Sequence, residues 1–459
     1  MKILFISHDL IAGNIAYKMK QEGNEVKIYI ENPDGKKNFD QMLTKTDDWR
    51  SELQWVGKED GLIVFDDVGY GKVQEKLREE GYAVFGGSEL GDRLEIDREY
   101  GQEILRQCGI KTVELRDFVD VRSAIEHIKK NPKVWVVKQN NHSIKNLTYT
   151  GIFEDGRDVI NVLENYEKNG ILNSKVITLQ ESVKGVEMGI GRFFNGSDWV
   201  GPIEINFEHT RFFPGDLGPI TSEMGTLAWY DDNEKNKLFQ ETIAKLKPYL
   251  QKINYRGDIG INCIVNEDGA TPLEATSRLG TPIVHLQSEI HQSPWSEFLY
   301  AVASGKKYDL KWKKGYGIVV MLAVPPFPYT YKMEKYSSFD TNIYFSDKIK
   351  AKDIEEHMHF EEVSLRPYTN DQFYISDSRG YIMYVTGIGE TVELTQSQVY
   401  KIIKEISIPK MFYRNDIGSK FSCTDCDKLV KWGYLSEEGG RVVLHNKDSK
   451  KTTTEVASK

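Results

Sequence analysis

Hydrophobic and polar positions change their period several times along this chain, and each change marks a structural unit. Over the first 95 residues, short apolar runs at 3–6, 25–30, 62–65 and 83–85 alternate with helical stretches at 14–21 and 72–80. That rhythm predicts βαβ units and a doubly wound parallel sheet. Residues 97–108 then repeat at 3.6, with Tyr100, Ile104, Leu105 and Cys108 on one helical face. A smaller α+β unit follows, with strands near 112–117, 134–138, 147–151 and 175–181 and helices over 121–130 and 157–168. From 185 to about 310 the pattern predicts a larger antiparallel unit, and 315–434 a last α/β block beginning GYGIVVMLAVPPFP. The expected division is 1–95, 96–184, 185–310, 311–434 and a tail, 435–459, polar and disordered from about 446.

Within the antiparallel unit, residues 258–282 read DIGINCIVNEDGATPLEATSRLGTP. Two strands joined at Asn266-Glu267-Asp268-Gly269 carry polar groups at chosen points. Asn262 lies inside the first strand, and Glu274, Thr276 and Arg278 follow at intervals of two. Period-2 alternation sends those three to one face of a sheet. A carboxylate, neighbouring oxygens and a guanidinium on one face suit a magnesium–triphosphate better than an apolar core.

Composition narrows the field. Hydrophobic residues at 39% and charged residues at 28% describe an ordinary globular chain. A net charge of -9 with no basic stripe argues against a nucleic-acid partner. No apolar run approaches the roughly 20 residues that span a bilayer. The opening MKILFIS is a strand rather than a signal peptide, so a cytoplasmic location is expected. Four cysteines are too few for a disulfide framework. Cys423 and Cys426 form one C-x-x-C with only His445 nearby, short of the four ligands of structural zinc.

Two further segments carry nucleotide chemistry. Lys138 ends an apolar strand and leads into a polar loop containing Lys145, an arrangement able to hold phosphates under backbone N–H groups. Gln180, Glu181 and Val183 sit where the next strand runs into a linker, offering backbone groups to an adenine edge. Glu187, six residues after Glu181, can accept from ribose hydroxyls.

The order strand–Lys, polar loop, Glu-x-x-x-Gly-x-Glu, then a strand pair with Asn262 and Glu274-x-Thr276 resembles the ATP-grasp ligases. The likeness is greatest to the phosphoribosylamine–glycine ligase family and covers nearly the whole chain. Glu208-His209-Thr210-Arg211 with the segment 215–225, Leu273 through Pro282, and Val385-Thr386-Gly387 through Arg414-Asn415-Asp416-Ile417-Gly418 are similar to that family's motifs, in the same order. The resemblance implies an α/β ATP-grasp fold with an N-terminal doubly wound domain and a C-terminal α/β domain. It implies ATP and Mg2+ (or Mn2+), the ion held by Glu274, Asn262 and Thr276, and ATP at Lys138, Lys145, Gln180, Glu181, Val183 and Glu187. Arg278 and Arg211 would serve catalysis. His209, Asp216, Gly218, Pro219, Thr221, Met224, Asp66 and Asp67 would face substrate. The implied reaction joins a small-molecule carboxylate, an amino acid, to an amine through an acyl phosphate, in a monomer or homodimer.

Departures from the family locate the divergence. Thr276 stands where the family keeps asparagine, and the glycine-rich ATP loop is Gln-Asn-Asn-His-Ser-Ile-Lys-Asn here. The glycine- and arginine-bearing N-terminal loop is Ser7 to Asn14, and Asp66 and Asp67 occupy a second loop that helps bind a sugar phosphate in the family. Ile220-Thr221-Ser222-Glu223 adds bulk and charge to the substrate loop. Three readings follow: a ligase with a rebuilt acceptor site, a genuine phosphoribosylamine–glycine ligase, or a non-catalytic nucleotide-binding descendant.

Overall fold

The structure, a computed structural model, describes residues 1–139, 148–170, 176–329, 338–369, 371–438 and 441–442. Three sheets organise the chain. The N-terminal sheet is parallel and five-stranded, in the order Thr44–Lys45, Glu25–Ile30, Lys2–Ser7, Gly61–Phe65, Val84–Phe85. Its central strands are apolar on both faces because helices cover both, as a buried parallel sheet requires. Strand order reverses beside Lys2–Ser7, so the loops after it and after Gly61–Phe65 face each other across a crevice.

Ser88 caps the helix Glu89–Ile96, its side chain accepting from Gly91 N. Asp97 caps the next helix, Arg98–Gln107, accepting from Tyr100 N, and so fixes Arg98 in the first turn. The small unit is a four-stranded sheet ordered Leu115–Phe118, Ile177–Glu181, Trp135–Gln139, Tyr149–Thr150, with its own core around Trp135, Val137 and Leu179.

The large sheet has eight antiparallel strands. Their order is Gly269–Thr276, Arg256–Asn266, Val186–Asn195, Trp199–Glu208, Gly225–Asp231, Tyr316–Ala323, Tyr381–Gly389, Met358–Phe360. The last three come from beyond residue 310, so the sheet runs without a break across that sequence boundary. The motifs of residues 208–225 and 414–418 meet in one ion-paired knot. Arg414, 1% exposed in its side chain, donates to Asp216 at 3.0 Å and to Asp416 at 2.8 Å, while Lys420 pairs with Asp216 at 3.0 Å. Arg414→Ala should cost about 2–3 kcal/mol in a denaturant titration, less than a fully buried pair because the aspartates keep some solvent.

Cys423 and Cys426 lie in adjoining helical turns, and His445 and Lys145 fall outside the described residues. Among the described residues no helix is long and apolar enough to cross a membrane.

Candidate active site

A cleft of about 410 Å3 opens between the four-stranded unit and the large sheet. Its floor is set by register. Asn262 pairs with Glu274 across the hairpin and with Gly189 on the other side, and Gly189 pairs with Asn206. Gly189 is required there, because a Cβ would sit 2.1 Å from Asn206 Oδ1. A bulge between the Asn262–Glu274 and Cys263–Pro272 pairs leaves Leu273 as an extra residue. It lets Ala270 to Pro272 bury against the core while Glu274, Thr276 and Arg278 line the cleft.

Glu274 accepts from Arg98 Nη2 at 3.1 Å. Asn262 Nδ2 donates to Glu208 Oε1 at 3.0 Å, which turns the amide oxygen of Asn262 away from that bond. Lys138 faces this group from the opposite wall; burial, and next the charge of Arg98, bring its ammonium down to about 8. Glu187 opens to the solvent of the cleft, yet the surrounding walls, with Glu208 and Glu274 nearby, raise it to about 7. Gln180, Glu181 and Val183 line the far end. Glu181 also pairs with Lys133 at 3.2 Å. Arg278 lines the near end, with its Nε 3.2 Å from Glu95 and 3.9 Å from Asp67.

The other expected residues are placed differently. Thr221 lines the cleft and donates to Thr210 O at 2.8 Å. His209 is buried, and burial with the nearby Arg414 lowers it to about 4. It is therefore neutral, and Nε2 accepts from Gly418 N at 3.2 Å. Asp216 holds Arg414, Gly218 lies in the second strand of the short hairpin at φ +82°, Pro219 continues that strand, and Met224 is core. Arg211 donates to Gly218 O at 2.8 Å within the same hairpin. Apart from Thr221, these residues build the segment beside the cleft rather than its lining. Asp66 is fully buried and accepts from Ala12 N at 2.9 Å, tying the two crevice loops together; burial raises its carboxyl to about 7. Asp67 alone of that pair reaches Arg278.

Residues 96–283 match the family model of the phosphoribosylglycinamide synthetase ATP-grasp (A) domain. The chain has an ATP-grasp domain. Similarity extends past that domain. A phosphoribosylamine–glycine ligase of Fusobacterium nucleatum is 23% identical over 450 residues, 92% of this chain and 99% of the relative. One from Clostridium acetobutylicum is 23% identical over 442 residues, 91% of this chain and 99% of the relative. Among solved structures, the phosphoribosylamine–glycine ligase of Thermotoga maritima superposes with a TM-score of 0.68 at 18% identity, covering 91% of this chain and 100% of its own. The biotin carboxylase domain of the Hydrogenobacter thermophilus 2-oxoglutarate carboxylase, solved with MgADP and bicarbonate, gives 0.60 at 13%, covering 90% and 91%.

The ATP-grasp cleft of this chain fits a magnesium nucleotide on its own evidence. Gln180 Oε1 and Arg98 Nη1 are buried at its walls with no hydrogen-bond partner among the described residues. An acceptor at the adenine end and a cationic donor beside Glu274 are what a nucleotide and its phosphates need. Glu274, Asn262 and Thr276 would hold the ion. Such a small protein ligand set suits Mg2+, which usually takes phosphate oxygens and water as its other ligands.

Two residues escaped the sequence reading, Arg98 and Glu95, both lining the cleft. Arg98 looked like an ordinary first-turn arginine behind an aspartate cap. Its only sequence signal is that a cation there opposes the dipole preference for acids at a helix start.

Lys138 supplies a pH test. In the free protein its charge is lost as pH rises through about 8. ATP affinity measured by titration calorimetry should therefore fall between pH 7 and pH 9, and Lys138→Arg should flatten the profile.

Proposed function

We propose that this chain is an ATP-dependent, ADP-forming carboxylate–amine ligase with an acceptor site unlike that of the phosphoribosylamine–glycine ligases. The observation that carries this reading is the pairing of Glu274 with Asn262 on one sheet face, opposite Lys138 and Arg98 and leading to Arg278. Lys138 and Arg98 would bind and orient the phosphates. Glu274, Asn262 and Thr276 would position a divalent ion, which when bound neutralises phosphate charge. Arg278, held by Glu95 and Asp67, would face the charge that builds as the γ-phosphoryl group passes to the carboxylate. An amine would then displace phosphate from the acyl phosphate to give the amide. Small-molecule substrates and a cytoplasmic setting go with this reaction.

The acceptor side is where the reading departs from the relatives' printed activity. The crevice loops present Asp9 and Asp67, while Asp66 is turned into the end of the sheet, and the substrate loop presents Glu223. These carboxylates repel a phosphate dianion. The near full-length similarity to phosphoribosylamine–glycine ligases supports the second reading, genuine synthesis of glycinamide ribonucleotide.

The test is ADP release from MgATP across a panel of amino acids, with hydroxylamine as a general nucleophile. One amino acid should support both ADP release and hydroxamate formation. Release with none would leave only the non-catalytic reading. Restored growth of a purine-requiring strain would favour the second reading over the first.

A further inference from the structure

A second cavity, of about 700 Å3, lies between the N-terminal domain and the large unit and shares no lining residue with the ATP-grasp cleft. Ala83 borders it just ahead of the strand Val84–Phe85, and Lys58 borders it from the loop before Gly61–Phe65. It therefore sits at the amino ends of parallel strands whose carboxyl ends form the crevice. Its size falls in the range of cavities that hold small molecules.

The lining is basic, although the chain as a whole carries a net charge of -9. Lys58, Arg78, Lys252 and Arg256 border the cavity, against Glu75 and Glu79. Glu75 is engaged at the start of the neighbouring helix, where it accepts from Glu89 N at 3.0 Å. Among the described residues none of the four cations forms an ion pair.

The two arginines also act on each other. Burial, and next the positive field of Arg256, bring the Arg78 guanidinium down to about 10, and the opposing field of Glu75 is smaller. Arg78 is held by the carbonyls of Gly86 and Gly87, each at 2.8 Å. Arg256 donates from Nη1 to Ala303 O at 2.6 Å and from Nε to Asn254 Oδ1 at 3.2 Å. Its Nη2 makes no hydrogen bond among the described residues. Neutral oxygens fix both guanidiniums without neutralising them, and two like charges drawn out of water favour an anion beside them.

A further observation does not depend on charge. Ser304 Oγ, on the same lining, is buried with no hydrogen-bond partner among the described residues. A hydroxyl placed beside cations is a ready donor to an anionic oxygen. Tyr82 and Tyr300 border the cavity as well, offering apolar surface to whatever carries the anion.

We propose that this cavity binds a small phosphorylated molecule, at a site separate from the nucleotide cleft. Four cations against two acids match a dianion, and guanidinium forks fit phosphate oxygens. Arg256, Lys58 and Lys252 meet the phosphate, Ser304 donates to it, and Arg78 contributes charge. The tyrosines take the body of the ligand. Lys58 and Arg78 belong to the N-terminal domain and Lys252, Arg256 and Ser304 to the large unit, so the ligand bridges the two.

Phenyl phosphate, a phosphate ester with a ring to set against tyrosine, is the probe in a calorimetric titration of the full chain. Lys138→Ala removes the phosphate-binding ammonium of the cleft and should leave saturable binding within a few-fold of wild type. In that background Arg256→Gln should weaken binding by about tenfold or more. Arg256 also holds Ala303 O, so the pair Lys58→Ala and Lys252→Ala, both exposed, gives the same reading without touching the fold and should cost about tenfold together. Succinate, a dianion without phosphate geometry, should bind more weakly than phenyl phosphate. Loss of binding in Lys138→Ala, affinity unchanged by the lysine pair, or succinate binding as tightly would each overturn the proposal.

Discussion

Glu274→Ala is expected to abolish ADP formation, by about 10³-fold or more, while the protein still folds. Glu274 is the carboxylate of the hairpin that faces the cleft, and Asn262 opposite it offers only an amide oxygen. Without it, the proposed ion would be left with Asn262 and Thr276, two uncharged groups too weak to fix it on the phosphates. Stability should change little, because the carboxylate is 44% exposed and its ion pair with Arg98, at 3.1 Å, is partly solvated. Two measurements separate the outcomes: ADP release at saturating Mg2+, and the melting temperature. Turnover at the wild-type rate would move the ion elsewhere in the cleft. Glu274→Asp should recover part of the activity at high Mg2+, since the charge is kept and only its reach is lost.

The hairpin was legible because both of its signals are local. A four-residue turn and three polar residues at intervals of two fix the strands and their shared face. The bulge at Leu273 was not legible, since it is decided by where the large sheet must bury Ala270 to Pro272. The same division holds elsewhere. Alternating strands and helices specified the parallel sheet, but not that the strands Tyr316–Ala323, Tyr381–Gly389 and Met358–Phe360 would extend the antiparallel one. His209, Asp216 and Arg414 were readable as motif residues. Their shared task, anchoring the hairpin of residues 211–220 to the C-terminal segment, depends on contacts about 200 residues apart in sequence, 198 for Asp216 to Arg414 and 209 for His209 to Gly418. Asp66 and Asp67 are adjacent in sequence yet differ in role, because alternation turns one into the sheet's end and the other toward Arg278.

Arg278→Lys should lower kcat by about 10²-fold while leaving the affinity for ATP within a few-fold of wild type. The guanidinium is held before substrate arrives, by Glu95 at 3.2 Å, by the more distant Asp67 at 3.9 Å and by a bond to Leu279 O at 3.0 Å. Such a fixed donor contributes most where charge develops, in transfer of the phosphoryl group and in the tetrahedral intermediate, and less in binding the nucleotide. Lysine keeps one positive charge near Glu95 and Asp67, so those carboxylates are not left without a counter-ion, as they would be in Arg278→Ala. What lysine loses is the planar fork that can meet two oxygens at once. Single-turnover phosphoryl transfer set beside ATP titration tests this. A large loss of ATP affinity with unchanged chemistry would place Arg278 among the nucleotide-binding residues, beside Lys138 and Arg98.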